Sequence, residues 1–219
     1  MRKDLLATGE VYHVFNRSIA DYIIFNNDQE FERMLELIKY YKFENDIKFS
    51  ALLELSLVQT EGFNNAIDII SQDKEELVQI IAYCLMPTHI HLVLKQLKEK
   101  GISDFMRKVS DGFTRYFNTL HGRKGPLWES KFKNVLVGGD EQLLHLSRYI
   151  HLNPVTASLI KKPEDWVFSS YKEYLSKINH PVCQFEDILD IQPPIYRKFV
   201  NDQISYQKEL ARIKKLTFD

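Results

Sequence analysis

Between Met86 and Leu94 the chain reads Met-Pro-Thr-His-Ile-His-Leu-Val-Leu, and no other run constrains the fold as tightly. An extended strand sends alternate side chains to opposite faces. His89 and His91 therefore share one face, while Ile90, Leu92 and Leu94 share the other. The apolar face demands a covering layer. The imidazole face demands polar company, because a buried ring needs hydrogen-bond partners. Two imidazoles on one strand face can also grip a single divalent ion. The nucleotide-hydrolase pattern His-x-His-x-His competes for this run, but its third position is Val93.

The strand has company on both sides. Glu10 to Arg17 alternates with β-type residues and reads as a first strand. Asn26-Asn27-Asp28 supplies caps for a helix over about 28–42, with Phe31, Leu35, Ile38 and Phe43 as its apolar stripe. Within 43–76, the stretches 50–55 and 64–70 look helical. Residues 77–85 form a second, nearly all-apolar strand, joined by Met86-Pro87-Thr88 to the histidine strand over 89–95. Ser103 opens a helix to about 120, and the basic turn His121 to Pro126 follows. Phe132 to Val137 is a fourth strand, Asp140 caps a helix to about 152, and a helix over about 195–215 closes the chain.

The order β-α-β-β-α-β is the ferredoxin-like split βαβ arrangement, an α+β class. It predicts an antiparallel four-stranded sheet with added helices, helices packed on one face and the histidines exposed on the other. The expected organisation is a catalytic domain over 1–175 with a helical insertion at 43–76, then a C-terminal helical extension over 176–219.

Composition narrows the setting. No apolar run approaches the roughly 20 residues needed to span a bilayer, so no membrane association is expected. The start Met1-Arg2-Lys3-Asp4 lacks the apolar core of a signal peptide. Cys84 and Cys183 are too few for a disulfide framework and fit reduced thiols of a cytoplasmic protein. The net charge is only −1, yet charge is segregated. Arg107, Lys108, Arg115, Arg123, Lys124, Lys131 and Lys133 face only Asp111 and Glu129 in their stretch, while acidic residues gather in 28–77 and 185–190. Such a stripe suits a nucleic-acid groove or a solvated helix face.

A second chemical feature lies at Tyr149-Ile150-His151-Leu152-Asn153. Leu143, Leu146 and Ile150 make a buried helical face, and His145, Tyr149 and Asn153 form the adjoining polar stripe. Tyr149 reads either as a nucleophile or as a buried ring with a wet hydroxyl. Asn153 before Pro154 also fits the N-cap of a new helix. His145 and His151 are further conceivable zinc ligands, though no Cys or carboxylate sits at the usual spacing with them.

Four separated segments together resemble a known family. They are Gly9 to Arg17, Met86 to Leu94, Gly125 to Lys133, and Arg148 to Val155. In that order they are similar to single-tyrosine HUH transposases, nearest to the REP-associated tyrosine transposases, over about residues 8–175. The resemblance implies the HUH endonuclease fold, with His89 and His91 as metal ligands, Asn153 as a third ligand and Tyr149 as nucleophile. It implies a Mg²⁺ or Mn²⁺ ion and cutting and joining of single-stranded, hairpin-forming DNA through a 5′-phosphotyrosine intermediate. Bond energy is conserved in such a transfer, so no nucleotide cofactor is expected, and no Gly-rich phosphate motif is present. The basic stripe becomes a set of phosphate contacts, and Tyr116, Phe117 and Trp128 become candidates for base stacking, core packing being favoured for Phe117. The family includes helix-swapped homodimers and monomers, with the nearer subgroup favouring the monomer. A non-catalytic, domesticated hairpin-binding protein is the alternative reading, and a phosphoesterase that releases free ends is a third.

Overall fold

A computed structural model describes residues 5–176 and 178–217. The basic start Met1 to Asp4 lies outside the described residues. Strand β1 (Val11–Arg17) leads through a short 3-10 turn to helix α1 (Asp28–Tyr41). Asn27 caps α1, its Oδ1 accepting from the Glu30 amide at 3.2 Å. Three short helices follow: α2 (Phe49–Leu53), α3 (Ser56–Glu61) and α4 (Phe63–Ile70). A bridge between Phe43 and Glu76 closes this segment at its base, so the chain re-enters the sheet beside the point where it left.

Strands β2 (Val78–Met86) and β3 (His89–Gln96) form a hairpin, and helix α5 (Gly101–Leu120) runs back along the sheet. Gly101 is required at that turn, since a Cβ there would meet the Leu77 carbonyl oxygen. Strand β4 (Lys133–Leu136) and helix α6 (Asp140–Thr156) complete the core unit. Helices α7 (Tyr171–Leu175), α8 (Pro193–Asn201) and α9 (Ile204–Thr217) follow, the expected closing helix being broken in two at 202–203.

The sheet order is β2-β3-β1-β4, antiparallel throughout, as the split βαβ arrangement requires. Register fixes the faces. Tyr12, Val14 and Asn16 pair with Leu94, Leu92 and Ile90, and this face carries α5, which packs in turn on α1. His13, Phe15 and Arg17 pair with Val93, His91 and His89 on the reverse face. The expectation of helices on one face only is corrected here. Helix α6 covers the reverse side of β2, where Ala82, Cys84 and Met86 are apolar and need burial. As a result the histidines are recessed beside a helix rather than displayed on an open sheet.

One hydrophobic cluster runs from Tyr12 to Val200 and includes Phe49, Leu52 and Ile67 from the 43–76 segment. Val182, Phe185, Leu189 and Tyr196 from beyond residue 175 belong to it too. Phe31 stacks on Phe168 at 4.1 Å and Tyr174 on Phe185 at 3.8 Å, tying α1 and α7 to the loops that follow. Among the described residues no helix is long and apolar enough to cross a membrane.

Candidate active site

β3 and β1 place three imidazoles together, one more than the sequence pattern announces. His91 is 9% exposed, and its Nδ1 lies 2.9 Å from Nε2 of His13 on the neighbouring strand. The two rings stack at 5.2 Å. His89 Nδ1 lies 3.0 Å from Thr88 Oγ1. If each Nδ1 donates its proton to these partners, both Nε2 atoms carry a free lone pair. Burial holds His13 and His89 down to about 4 and pushes His91 well below its ordinary value. All three are therefore neutral imidazoles at neutral pH, the form that donates a lone pair to a metal. Alternation along Val11 to Arg17 is the signal that could have revealed His13, because it sets His13, Phe15 and Arg17 on one face.

α6 brings the tyrosine. Gly139 before it adopts φ 150°, and the Gly138 amide donates to Gln142 Oε1 at 2.6 Å, which secures the helix start. Leu143, Ser147 and Ile150 are buried, leaving Tyr149 at the rim with 41% of its surface exposed. Its ring meets His91 edge-on at 6.1 Å. Burial raises the phenol's pKa, and the Arg17 guanidinium acts in the opposite direction. Asn153 sits one turn on and lines the same pocket. Its Nδ2 is buried with no hydrogen-bond partner. An orphaned amide in a polar pocket is a group awaiting a ligand. Turned over about its last torsion, the amide offers an oxygen at that position.

Two expectations for α6 are corrected. Asn153 is not the N-cap of a new helix, because α6 continues through Pro154 to Thr156. Pro154 supplies no amide for the Ile150 carbonyl, so the helix is weakened one turn from Tyr149. Nor do His145 and His151 reach the pocket. His145 bonds Arg148 at 2.8 Å and packs on Phe199. His151 is fully buried, with Nδ1 2.6 Å from Tyr196 Oη and Nε2 2.8 Å from Ser170 Oγ. Tyr196 donates onward to Ser147 Oγ at 2.9 Å. This network fastens the back of the tyrosine helix to α8 and to the residue that opens α7.

The pocket between β1, β3 and α6 measures about 480 Å³. Arg17, Lys133, Glu129 and Ser130 also line it. Glu129 arrives because its amide donates to the Arg17 carbonyl at 2.9 Å, extending the edge pairing beyond β4. Among the described residues no three His, Cys, Asp or Glu side chains form a ready metal cage. The neutral donors that line the pocket are His13, His89, His91 and the Asn153 amide. Two imidazole nitrogens and an amide oxygen are donors a borderline divalent cation would accept, whereas the hardest cations favour all-oxygen sets. One chain supplies the histidines, the tyrosine and the amide together.

The basic stripe divides. Lys133 belongs to the pocket itself. Arg107, Lys131 and Trp128 line a second groove of about 350 Å³, which shares Asn16 and Ser130 with the first. Trp128 is half-buried and donates to the Ser110 carbonyl at 3.3 Å, so its ring forms a fixed wall. Lys108 leans over the Tyr41 ring toward α1, away from this groove. Arg123 bonds Asn118 and the Pro126 carbonyl at 3.0 and 2.8 Å and holds its own loop. Lys124 is exposed on that loop. Arg115 and Tyr116 lie further along α5 in a separate cavity, and Phe117 is fully buried in the core.

Residues 58–153 match the family model described as Transposase IS200 like, a span that runs from α3 to Asn153. A protein of Haemophilus influenzae named "Putative REP-associated tyrosine transposase" is 29% identical over 104 residues, which cover 42% of this chain. The match spans 58% of that relative's length. A solved structure of a REP-associated tyrosine transposase bound to a REP hairpin aligns with 87% of this chain and 94% of its own, at 16% identity and a TM-score of 0.48.

Proposed function

We propose, from the kinship of residues 58–153 with the IS200-like transposases, that this chain is a DNA strand transferase that cuts and rejoins single-stranded DNA through Tyr149. The observation that carries the reading is the meeting of Tyr149 with His91 and Asn153 in one polar pocket. A purely structural tyrosine has no need of two imidazoles and an amide lining the same pocket.

In this reading Tyr149 Oη attacks the scissile phosphorus, and the bond from phosphorus to the 3′ oxygen breaks. The products are a 5′-phosphotyrosine link and a free 3′-hydroxyl, which takes up a proton. A 3′-hydroxyl on the same or another end reverses the step and releases Tyr149. A phenol with its pKa raised by burial needs help to lose its proton near neutrality. Glu129 is the carboxylate in the pocket wall able to receive it, and Arg17 favours the phenolate. Arg17 and Lys133 orient the phosphate oxygens by charge. A Mg²⁺ or Mn²⁺ ion held by His89, His91 and Asn153 would polarise the scissile phosphate. The groove of Arg107, Trp128 and Lys131 receives the strand beyond the cut, since it shares two wall residues with the pocket.

The test uses labelled hairpin DNA with single-stranded flanks, Mg²⁺ or Mn²⁺, and denaturing gels. The expected result is a covalent protein–DNA band in wild type that Tyr149→Phe lacks. Cleavage that survives Tyr149→Phe would instead mark a phosphoesterase. Binding without any adduct would reduce the chain to a DNA-binding module.

A further inference from the structure

The 43–76 segment builds a cavity that the proposed chemistry does not use. It lies between α1, α2 and α5 and measures about 420 Å³, within the range of about 300–1,000 Å³ common for small-ligand sites. Its walls are the rings of Tyr41, Phe49 and Tyr116 with aliphatic side chains between them. Every charged lining residue is a cation: Arg33, Lys48 and Arg115. The Arg33 guanidinium stands 5.2 Å from the Phe49 ring centre and 5.1 Å from that of Tyr116, and Glu36 neutralises it at 3.0 Å. Lys48 and Arg115 are exposed at the rim, where Arg115 Nε donates to its own helix at the Asp111 carbonyl.

Aromatic walls with a cationic rim match one ligand chemistry closely. An unpaired nucleobase offers a flat face for the partly buried Tyr116 ring and the apolar walls backed by Tyr41 and Phe49, and its flanking phosphates suit the rim charges. Position agrees with chemistry. Arg107 lines the groove that shares Asn16 and Ser130 with the pocket of Tyr149, and Arg115 lies eight residues further along α5. That separation is about 12 Å of helix, a span an extended single strand covers in a few nucleotides.

We infer that this cavity binds an unpaired base of the single-stranded DNA flanking the cut site, and so extends the footprint of the protein along α5. The inference rests on the strand-transferase reading and gives the 43–76 segment its purpose. Phe49 and Lys48 come from that segment, while Arg115 and Tyr116 come from the helix that the basic stripe follows.

The experiment scans single abasic nucleotides through both flanks of a hairpin substrate and measures affinity by fluorescence anisotropy on the full chain. Wild type is compared with Ser50→Trp and Thr119→Trp, two exposed wall positions at which an indole fills the cavity. Thermal melts confirm that each variant folds. In wild type one flank position is expected to weaken binding about tenfold when its base is removed. In the filled variants that position should become indifferent, while adduct formation on a hairpin with minimal flanks is unchanged. Equal affinity at every abasic position overturns the inference but leaves the covalent adduct, and with it the transferase reading, standing. A base-specific loss that persists in both filled variants places the base elsewhere and also overturns it. No binding of any single strand by wild type overturns both.

Discussion

Nε2 of His13 on β1 lies 2.9 Å from Nδ1 of His91 on β3, so one strand's imidazole fixes the ring of its neighbour's. With His91 Nδ1–H donating to His13 Nε2, the His91 Nε2 is left for a ligand. Outer partners of metal-bound histidines commonly affect affinity by about 10- to 100-fold. His13→Phe keeps the ring stack and removes the acceptor. It should weaken Mn²⁺ binding by about that factor in calorimetry, with His13→Gln restoring part of the loss. Equal Mn²⁺ affinity in His13→Phe and wild type would assign His13 to packing only.

A substitution at Asn153 tests the proposed metal site apart from folding. It occupies a helix interior, where alanine is the better helix former by up to about 0.7 kcal/mol. Asn153→Ala should therefore leave the melting temperature level or slightly higher, while Mn²⁺ affinity falls. A variant that loses stability but keeps its metal would make the orphaned amide a structural element.

The network behind the tyrosine helix has the opposite signature. His151→Ala removes a fully buried ring and strands the Tyr196 and Ser170 hydroxyls. A cost of about 3 kcal/mol is expected from the cavity and the lost hydrogen bonds, read as a lower denaturant midpoint. Metal affinity of the folded fraction should be close to wild type, because neither His151 nor Tyr196 lines the pocket.

Salt dependence discriminates among the cations. Arg107 lines the groove that shares Asn16 and Ser130 with the pocket and is only loosely paired with Asp104 at 3.4 Å, so Arg107→Ala should lower the slope of log affinity against log salt by up to about 0.7 for single-stranded DNA. Lys108→Ala should change that slope little, since its ammonium lies over the Tyr41 ring on the α1 side. Equal slopes for the two variants would mean that the strand takes another path.

Local pattern determined much of this protein. Period-two alternation set His89 and His91 on one strand face, and period-3.6 spacing set Tyr149 and Asn153 on one helix face. Both depend on covalent geometry and short-range hydrogen bonds, which a sequence displays directly. The element order likewise led to the antiparallel four-stranded sheet, because a split βαβ unit permits few connections. What the pattern left open were choices between neighbours distant in the chain. His13 joins His91 across 78 positions, and only strand register decides that meeting. His145, Tyr149 and His151 are near neighbours on α6, yet Phe199 takes the first, the pocket the second, and Tyr196 with Ser170 the third. The helix also runs through Pro154, which local propensity alone reads as a start, because packing of Leu152 and Val155 outweighs the lost hydrogen bond. Sequence fixes what each segment can be. Tertiary packing decides which side chains share a pocket, because that depends on burial and register summed over the whole core.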